Sequence, residues 1–456
     1  MTRPARDHFL VFGCSLTPLL FWWFVLLPGN FTIDSVEVVN QVRSGTWNDW
    51  HTNSYTFFAW SASLGGRVWS FITLAQVLLL ATGVASMGRA FRHLGVSTRV
   101  AAVSCLIFSA LPQVGSFAVT MWKDVPSTAG AMMLAAALVE WWKHKSTTKG
   151  PVGLASVGAI LLACFRWNGP VALMILALII LMVHRKSAAR MASVLGLVAV
   201  ASLATLTLPQ RAGLTESSAW FNFEVRELHD LAYVYHSEPA VIQASELRIL
   251  KSIMPLSAWA AGGSSCEGVE VLQYESFARY APASFEAARA RRVELRDLWR
   301  DVLLRAPLRI AIVRLCRAGG VLSPVFFGQQ PTLGLWYHNA TDSELVRASY
   351  LPPAESALLA LVRVTSTSEG SKTLFLNAML WTLIALIFAV RAKSQIPGIG
   401  GMFAVGSSIM ISVALGANAH DARYVAGALL IAQFFVLLRC VHYVHGLRRR
   451  NITARA

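Results

Sequence analysis

Charge of either sign is scarce in this chain, and negative charge scarcest. Among 456 residues, 24 Asp and Glu stand against 40 Lys and Arg, and all four types together make up 14%. Soluble domains carry about 25% charged residues. With 55% hydrophobic residues and a mean hydropathy of +0.52, the shortfall excludes an ordinary soluble enzyme and indicates a polytopic membrane protein. No internal repeat is apparent, so the two related halves common in alternating-access transporters are missing. Neither a glycine-rich phosphate loop nor an acidic cluster occurs in the short basic connectors, which disfavours a cytoplasmic nucleotide-sugar site. A cleavable signal peptide is not expected either, since Leu10 to Leu27 is long enough to remain as a span and has no small-residue cleavage site. Only six cysteines occur. Cys14, Cys105, Cys164 and Cys440 fall in apolar spans as packing residues. Cys266 and Cys316 share a long polar interval and are either bonded or two free thiols.

The net charge of +16 suggests nucleic acid until its distribution is read. Arg3/Arg6, Arg89/Arg92/Arg99, Lys143/Lys145/Lys149, Arg185/Lys186/Arg190, Arg391/Lys393 and Arg448/Arg449/Arg450 sit in short segments between apolar stretches. That is the positive-inside bias, and no nucleic-acid partner is expected. The apolar stretches fit about ten spans near the ~20 residues a bilayer requires, at 9–28, 66–86, 99–117, 126–142, 151–165, 170–184, 192–209, 373–391, 397–417 and 424–443. The expected fold class is therefore an all-α polytopic membrane protein. Residues 1–209 form a seven-span module whose first outward loop is 29–66, residues 210–372 a mainly helical extracytoplasmic domain, and residues 373–456 a three-span end. Residues 308–328, with Arg309, Arg314 and Arg317, read as an amphipathic surface helix rather than an eleventh span. The expected location is the inner or plasma membrane, multi-pass, with the working face extracytoplasmic.

Polar residues at the outer span ends are few and gather in four places. In the first outward loop, Asp34 follows Pro28 by six residues, and Asp34, Glu37, Val38 and Gln41 share one side of a helix over 35–44 that Gly45 is placed to end. Asp49, Trp50 and His51 come next. The second outward turn holds Lys123-Asp124-Val125-Pro126, span five closes on Arg166-Trp167-Asn168-Gly169, and the last outward turn carries Asp421-Ala422-Arg423-Tyr424. Charge at such a depth is costly and marks function by default. Lys123, Arg166 and Arg423 are suited to a lipid-linked phosphate, arginine offering the bidentate fork. Asp34 is the leading carboxylate for proton abstraction from a hydroxyl, and Asp49 the second. Each group also has a structural reading. Asp34 caps its helix, Lys123 and Asp124 pair or cap at a helix start before Pro126, Arg166 snorkels to headgroups, and Arg423 pairs with Asp421. Asp34, Glu37 and Asp49 are also able to hold a divalent cation, but no ligand spacing compels it, and no cofactor is expected.

At these residues the chain resembles the GT-C superfamily of polytopic glycosyltransferases. The likeness lies in Asp34-Ser35, Gln41, Gly45, Trp47 and Asp49-Trp50-His51, in Lys123 to Pro126, in Arg166 to Gly169 and in Asp421 to Tyr424. It covers most of 1–209 and 373–443 and is weak in 210–372. One departure is Thr52, which stands after His51 where that superfamily usually has proline. The resemblance implies an inverting transfer of a sugar from a polyprenyl-phosphate donor to a hydroxyl of an extracytoplasmic glycan, lipid or protein acceptor. Asp34 would be the general base and Lys123, Arg166 and Arg423 the phosphate site. Glu37, Gln41, His51, Asp124, Asn168, Asp421 and Tyr424 would line the donor and acceptor pocket. Two alternatives remain at this stage: a non-enzymatic carrier of lipid-linked sugar, and a ligase or polymerase drawing on a pyrophosphate-linked glycan.

Overall fold

In a computed structural model, the structure describes residues 3–48, 51–144, 149–183, 189–212, 219–264, 287–288, 290–322, 345, 350–367, 374–391, 396–416 and 422–453. Among them there is no β-strand, only an isolated bridge between Asn30 and Thr120. The chain divides into two compact units, each with its own core. The first comprises Met1–Glu216, Pro331–Ser412 and Ala422–Ala456, and the second Ser217–Gln330 and Val413–Asp421. Of the interval 331–372, the described residues 345 and 350–367 cluster with the first unit.

The first unit begins with α1 (Arg3–Val25), α2 (Ile33–Ser44), α3 (Asn53–Ala62) and α4 (Ser70–His93). It continues through α5 (Thr98–Ala110), α6 (Pro112–Val119), α7 (Asp124–His144), α8 (Lys149–Cys164), α9 (Gly169–Val183) and α10 (Ala189–Arg211). α7 is central. From Asp124 to Trp142 every residue is buried, as expected of a helix that is apolar all round. Small residues let its neighbours come close: a Cβ built on Gly130 would lie 2.6 Å from the Gly158 carbonyl of α8. Among the described residues, five helices are long and apolar enough to cross a bilayer: Arg6–Val25, Ser70–His93, Ala189–Pro209, Gly398–Gly416 and Arg423–Gly446. Gly150–Cys164, Gly169–Val183 and Ala378–Arg391 are apolar but shorter. The protein is thus a helical, multi-pass membrane protein by the character of its helices.

The single crossing expected over 99–117 is two helices, α5 and α6, bent by 67°. Pro112 is the cause. It excludes the preceding residue from the helical region, and Leu111 is accordingly extended at φ −59°, ψ 137°.

The second unit packs α11 (Ala219–Ser237), α12 (Ala244–Ile253), α13 (Leu256–Gly263), α14 (Arg292–Arg305) and α15 (Pro307–Leu322) around Leu228, Leu231, Trp259, Leu298 and Val302. α15 covers the described part of the amphipathic segment expected at 308–328. Its Ile310 and Val313 are buried while Leu308 and Leu315 are exposed. Its arginines find carboxylates on or just after α11: Arg309 pairs with Glu238 at 3.0 Å, and Arg314 and Arg317 pair with Asp230 at 2.9 and 2.7 Å. Cys316 is disulfide-bonded, whereas Cys14, Cys105, Cys164 and Cys440 are free. Cys266 lies outside the described residues.

The described chain of the first unit closes with α16 (Pro352–Thr367), α17 (Ala378–Arg391), the early part of α18 (Ile396–Gly416) and α19 (Ala426–Thr453). α19 packs against α5, α7 and α17, which sets its first residues near the loops that follow α1 and α6.

Candidate functional site

The site is built on a short run of backbone pairing between the segments after α1 and α6. Asn30 N–H donates to the Val119 carbonyl and Met121 N–H to the Asn30 carbonyl, each at 2.9 Å. Gly29 makes the approach sterically feasible. It sits at φ +132°, and a Cβ there would lie 2.5 Å from Thr73 Cγ2 and 2.9 Å from the Val119 oxygen. Gln76 Nε2 then donates to the Thr120 carbonyl at 2.7 Å, and Tyr55 OH donates to Gln76 Oε1 at 3.1 Å. Residues 30, 120 and 121 are therefore fixed with respect to α3 and α4.

α2 starts two residues earlier in sequence than a cap at Asp34 would require. Thr32 is the N-cap and forms a reciprocal capping box with Ser35. Ser35 Oγ also donates to the Met121 carbonyl at 2.8 Å, and Trp122 Nε1 to Thr32 Oγ1 at 2.9 Å. Asp34 thus lies in the first turn rather than at the cap, correcting that reading and releasing its carboxylate for contacts outside the helix. Gly45 closes α2 in the left-handed conformation at φ 71°, as the sequence suggested.

Four of the expected charged residues meet here as two cross-chain ion pairs. Asp34 Oδ2 lies 2.5 Å from Arg423 Nη1, a partner 389 positions away; the expected partner Asp421 lies outside the described residues. Asp124, at the start of α7, lies 2.6 Å from Arg166 Nη1. Arg166 Nη1 also donates to the Arg423 carbonyl at 2.9 Å. Aromatic faces support both guanidinium groups: Arg166 stacks on Tyr424 at 4.9 Å, and Arg423 lies over Trp122 at 5.4 Å and Tyr424 at 5.5 Å. Arg166 is buried among these groups rather than snorkelling. The Asp34 and Arg423 side chains keep 27% and 19% of their surface, so this pair is the accessible one.

Lys123 points at the same place. Its Nζ lies 3.1 Å from His51 Nδ1. Burial and the Lys123 charge push the His51 imidazole down to about 3, so the ring is neutral and accepts a hydrogen bond from the Lys123 ammonium at Nδ1. Burial also lowers Lys123, to about 8, against the opposing pull of Asp34 and Asp124. For Asp34 burial acts upward, but Arg423, His51 and Lys123 outweigh it and hold the carboxyl well below the usual carboxylate range. Among the described residues, three cations thus face two carboxylates and a neutral imidazole at a partly open point.

The remaining expected residues divide. Glu37 and Gln41 form a separate network with Asn48 and Thr56. Gln41 Nε2 donates to Asn48 Oδ1 at 2.7 Å, Asn48 Nδ2 to Glu37 Oε1 at 3.0 Å, and Thr56 Oγ1 to Gln41 Oε1 at 3.3 Å. These bonds brace the loop, and none is to Asp34, Lys123, Arg166 or Arg423. Asn168 donates to Ser412 Oγ at 3.1 Å and lines a small cavity of mixed polar and apolar character beside Arg166, with Ser127, Thr128, Leu162, Ile409 and Tyr424. Asp49 and Asp421 lie outside the described residues. Among the described residues, no three His, Cys, Asp or Glu side chains gather as a metal site would require. Trp122 was not singled out from sequence as a functional side chain, although it directly precedes Lys123; it is the face on which Arg423 rests.

Compared with known family models, curated proteins and solved structures, the chain matches none.

Proposed function

We propose that the protein is an inverting glycosyltransferase that moves a sugar from a polyprenyl-phosphate donor to an acceptor hydroxyl, with Asp34 as the general base. The observation carrying this reading is the meeting of Asp34, Lys123, Asp124, Arg166 and Arg423, from four distant stretches of sequence, at one place. A phosphate needs fixed cations aimed at it, and the departing lipid phosphate gains charge as the glycosidic bond breaks. The acceptor hydroxyl needs a base within hydrogen-bond reach.

The Asp34–Arg423 pair suggests how the two requirements are linked. While Arg423 holds the carboxylate, Asp34 is ionised but a weak base. A donor phosphate competing for Arg423 removes the strongest attraction on the carboxylate, and the Asp34 basicity rises once the donor is in place. Proton abstraction is thereby tied to donor binding. In the finer form of the proposal the chain crosses the membrane ten times and this face is extracytoplasmic. The positive-inside pattern supports that topology, and the Cys316 disulfide fits an oxidising side.

The test is Asp34→Asn in purified protein supplied with polyprenyl-phosphate sugars. Loss of a general base lowers the rate by about 10²–10⁴-fold, while donor binding persists because the three cations remain. Wild-type turnover by the Asn variant would remove Asp34 from the mechanism.

A further inference from the structure

The first turn of α3 carries polar groups that the fold does not use. Thr52 is its N-cap, a position where threonine ordinarily accepts a backbone N–H, but here the side chain makes no capping bond. Thr52 is fully buried and its Oγ1 has no hydrogen-bond partner. Asn53 is 8% exposed, and neither Nδ2 nor Oδ1 has a partner. Folded proteins rarely leave such groups unpaired, and one turn further on α3 itself obeys the rule: Tyr55 and Thr56 are both bonded, to Gln76 and Gln41. By helix geometry the Asn53 and Ser54 N–H groups also lack intrahelical acceptors. Donors and acceptors are thus concentrated on two consecutive residues, directly after His51, whose ring bonds Lys123 and lies within the electrostatic reach of Asp34.

The chemistry of the set selects its ligand. An amide and a hydroxyl present donors and acceptors together and carry no charge, so they suit hydroxyl groups, which also do both. They suit phosphate poorly, because Asn53 Oδ1 would face another acceptor. We propose that Thr52 and Asn53 form a binding subsite for one hydroxylated sugar ring, held beside Asp34. The proposal rests on the sugar-transfer reading for its ligand class, and it adds residues that neither the charged cluster nor the motif resemblance includes.

The test uses full-length protein in detergent. Binding of methyl glycosides (glucoside, mannoside, galactoside and arabinoside) is measured by saturation-transfer NMR at millimolar concentration, with Tm measured in parallel. At least one glycoside binds the wild type. Thr52→Val weakens that binding about five- to tenfold, the value of one neutral hydrogen bond, and Asn53→Leu weakens it further. Neither substitution lowers Tm, because each removes a buried group that bonds nothing in the fold. The proposal is overturned if no glycoside binds the wild type, if both variants bind like the wild type, or if Thr52→Val loses binding together with a large fall in Tm. Its failure is separable from that of the transferase reading. Glycoside binding lost in the variants, with no turnover of any polyprenyl-phosphate sugar by the wild type, keeps the subsite and removes the transferase. Turnover that Asn53→Leu leaves unchanged does the reverse.

Discussion

Arg166→Met provides the sharpest check on the geometry of the site, because it depends on no assumption about substrate. Among the described ion pairs of the first unit, Asp124–Arg166 is the most enclosed, with side-chain exposures of 1% and 9% at 2.6 Å. Removing the cation strands a carboxylate inside the protein, and breaking a buried pair in this way costs about 3–5 kcal/mol. The lost hydrogen bond to the Arg423 carbonyl and the lost stacking on Tyr424 add about 1 kcal/mol each. An unfolding entropy near ~2.1 cal/mol/K per residue makes one degree worth roughly 1 kcal/mol in a chain of this length, so Tm should fall by about 5–7 °C. The companion is the double variant Asp124→Leu/Arg166→Met. Exchanging a whole buried pair for apolar side chains is often neutral, so its Tm should recover most of the loss, less about 0.5–1 kcal/mol for an acidic residue in the first turn of α7. The assay is intrinsic tryptophan fluorescence during heating in detergent. If the double variant melts at the sum of the two single shifts, the residues are not coupled, and the site as described is wrong. Donor use should remain poor in the double variant even where stability returns, which separates holding the fold from holding the phosphate.

Other expectations concern charge and sidedness. Arg423→Ala and Arg166→Ala should raise the donor KM, and Lys123→Ala should raise it less, since lysine offers a point charge without the fork; unchanged donor dependence in all three would mean there is no shared phosphate site. Lys123 is a cation below about 8 and neutral above it, so donor affinity should decline as pH rises through 8 in the wild type and stay level in Lys123→Arg. Lowering the Lys123 pKa costs stability below pH of about 8, and that cost is relieved as pH rises from about 8 to 10.5, where the unfolded chain still holds the proton, so the decline is not unfolding driven by this group. With Cys14, Cys105, Cys164 and Cys440 replaced, Ser237→Cys should react with an impermeant thiol reagent on intact cells and Gly150→Cys only after lysis; the opposite pattern inverts the topology.

Much of the site was legible because it is local. The Gly45 stop of α2 and the placement of Asp124 before Pro126 at the start of α7 are short-range signals, and the structure has both. The bend at Leu111–Pro112 has an equally local cause, a proline inside a mostly apolar run that otherwise reads as one span. Pairing was not legible. Local reasoning makes Asp34 a cap, whereas packing of α19 against α5 and α7 brings it together with Arg423 across 389 positions. Glu37 and Gln41 share a helical side with Asp34, yet they turn to Asn48 and Thr56, because the returning chain supplies partners there. Unsatisfied groups such as those of Thr52 and Asn53 have no sequence signature at all, since they are defined by partners that are missing.

The position of Asp34 follows from groups that carry no charge. Thr32 and Ser35 close the capping box, Ser35 then reaches the Met121 carbonyl, and Trp122 returns a bond to Thr32. The same four residues therefore fix the first turn of α2 and the segment bearing Lys123 as one piece. Trp122 does more, since its ring also lies beneath Arg423. A single indole thus links the strut that orients Asp34 to the cation that holds it. Any movement of Arg423 toward a phosphate would occur over a fixed aromatic face, with the carboxylate it leaves behind kept in place by backbone bonds that do not involve Arg423. That separation would let the cation move while the carboxylate stays still, as the proposed coupling of proton abstraction to donor binding requires.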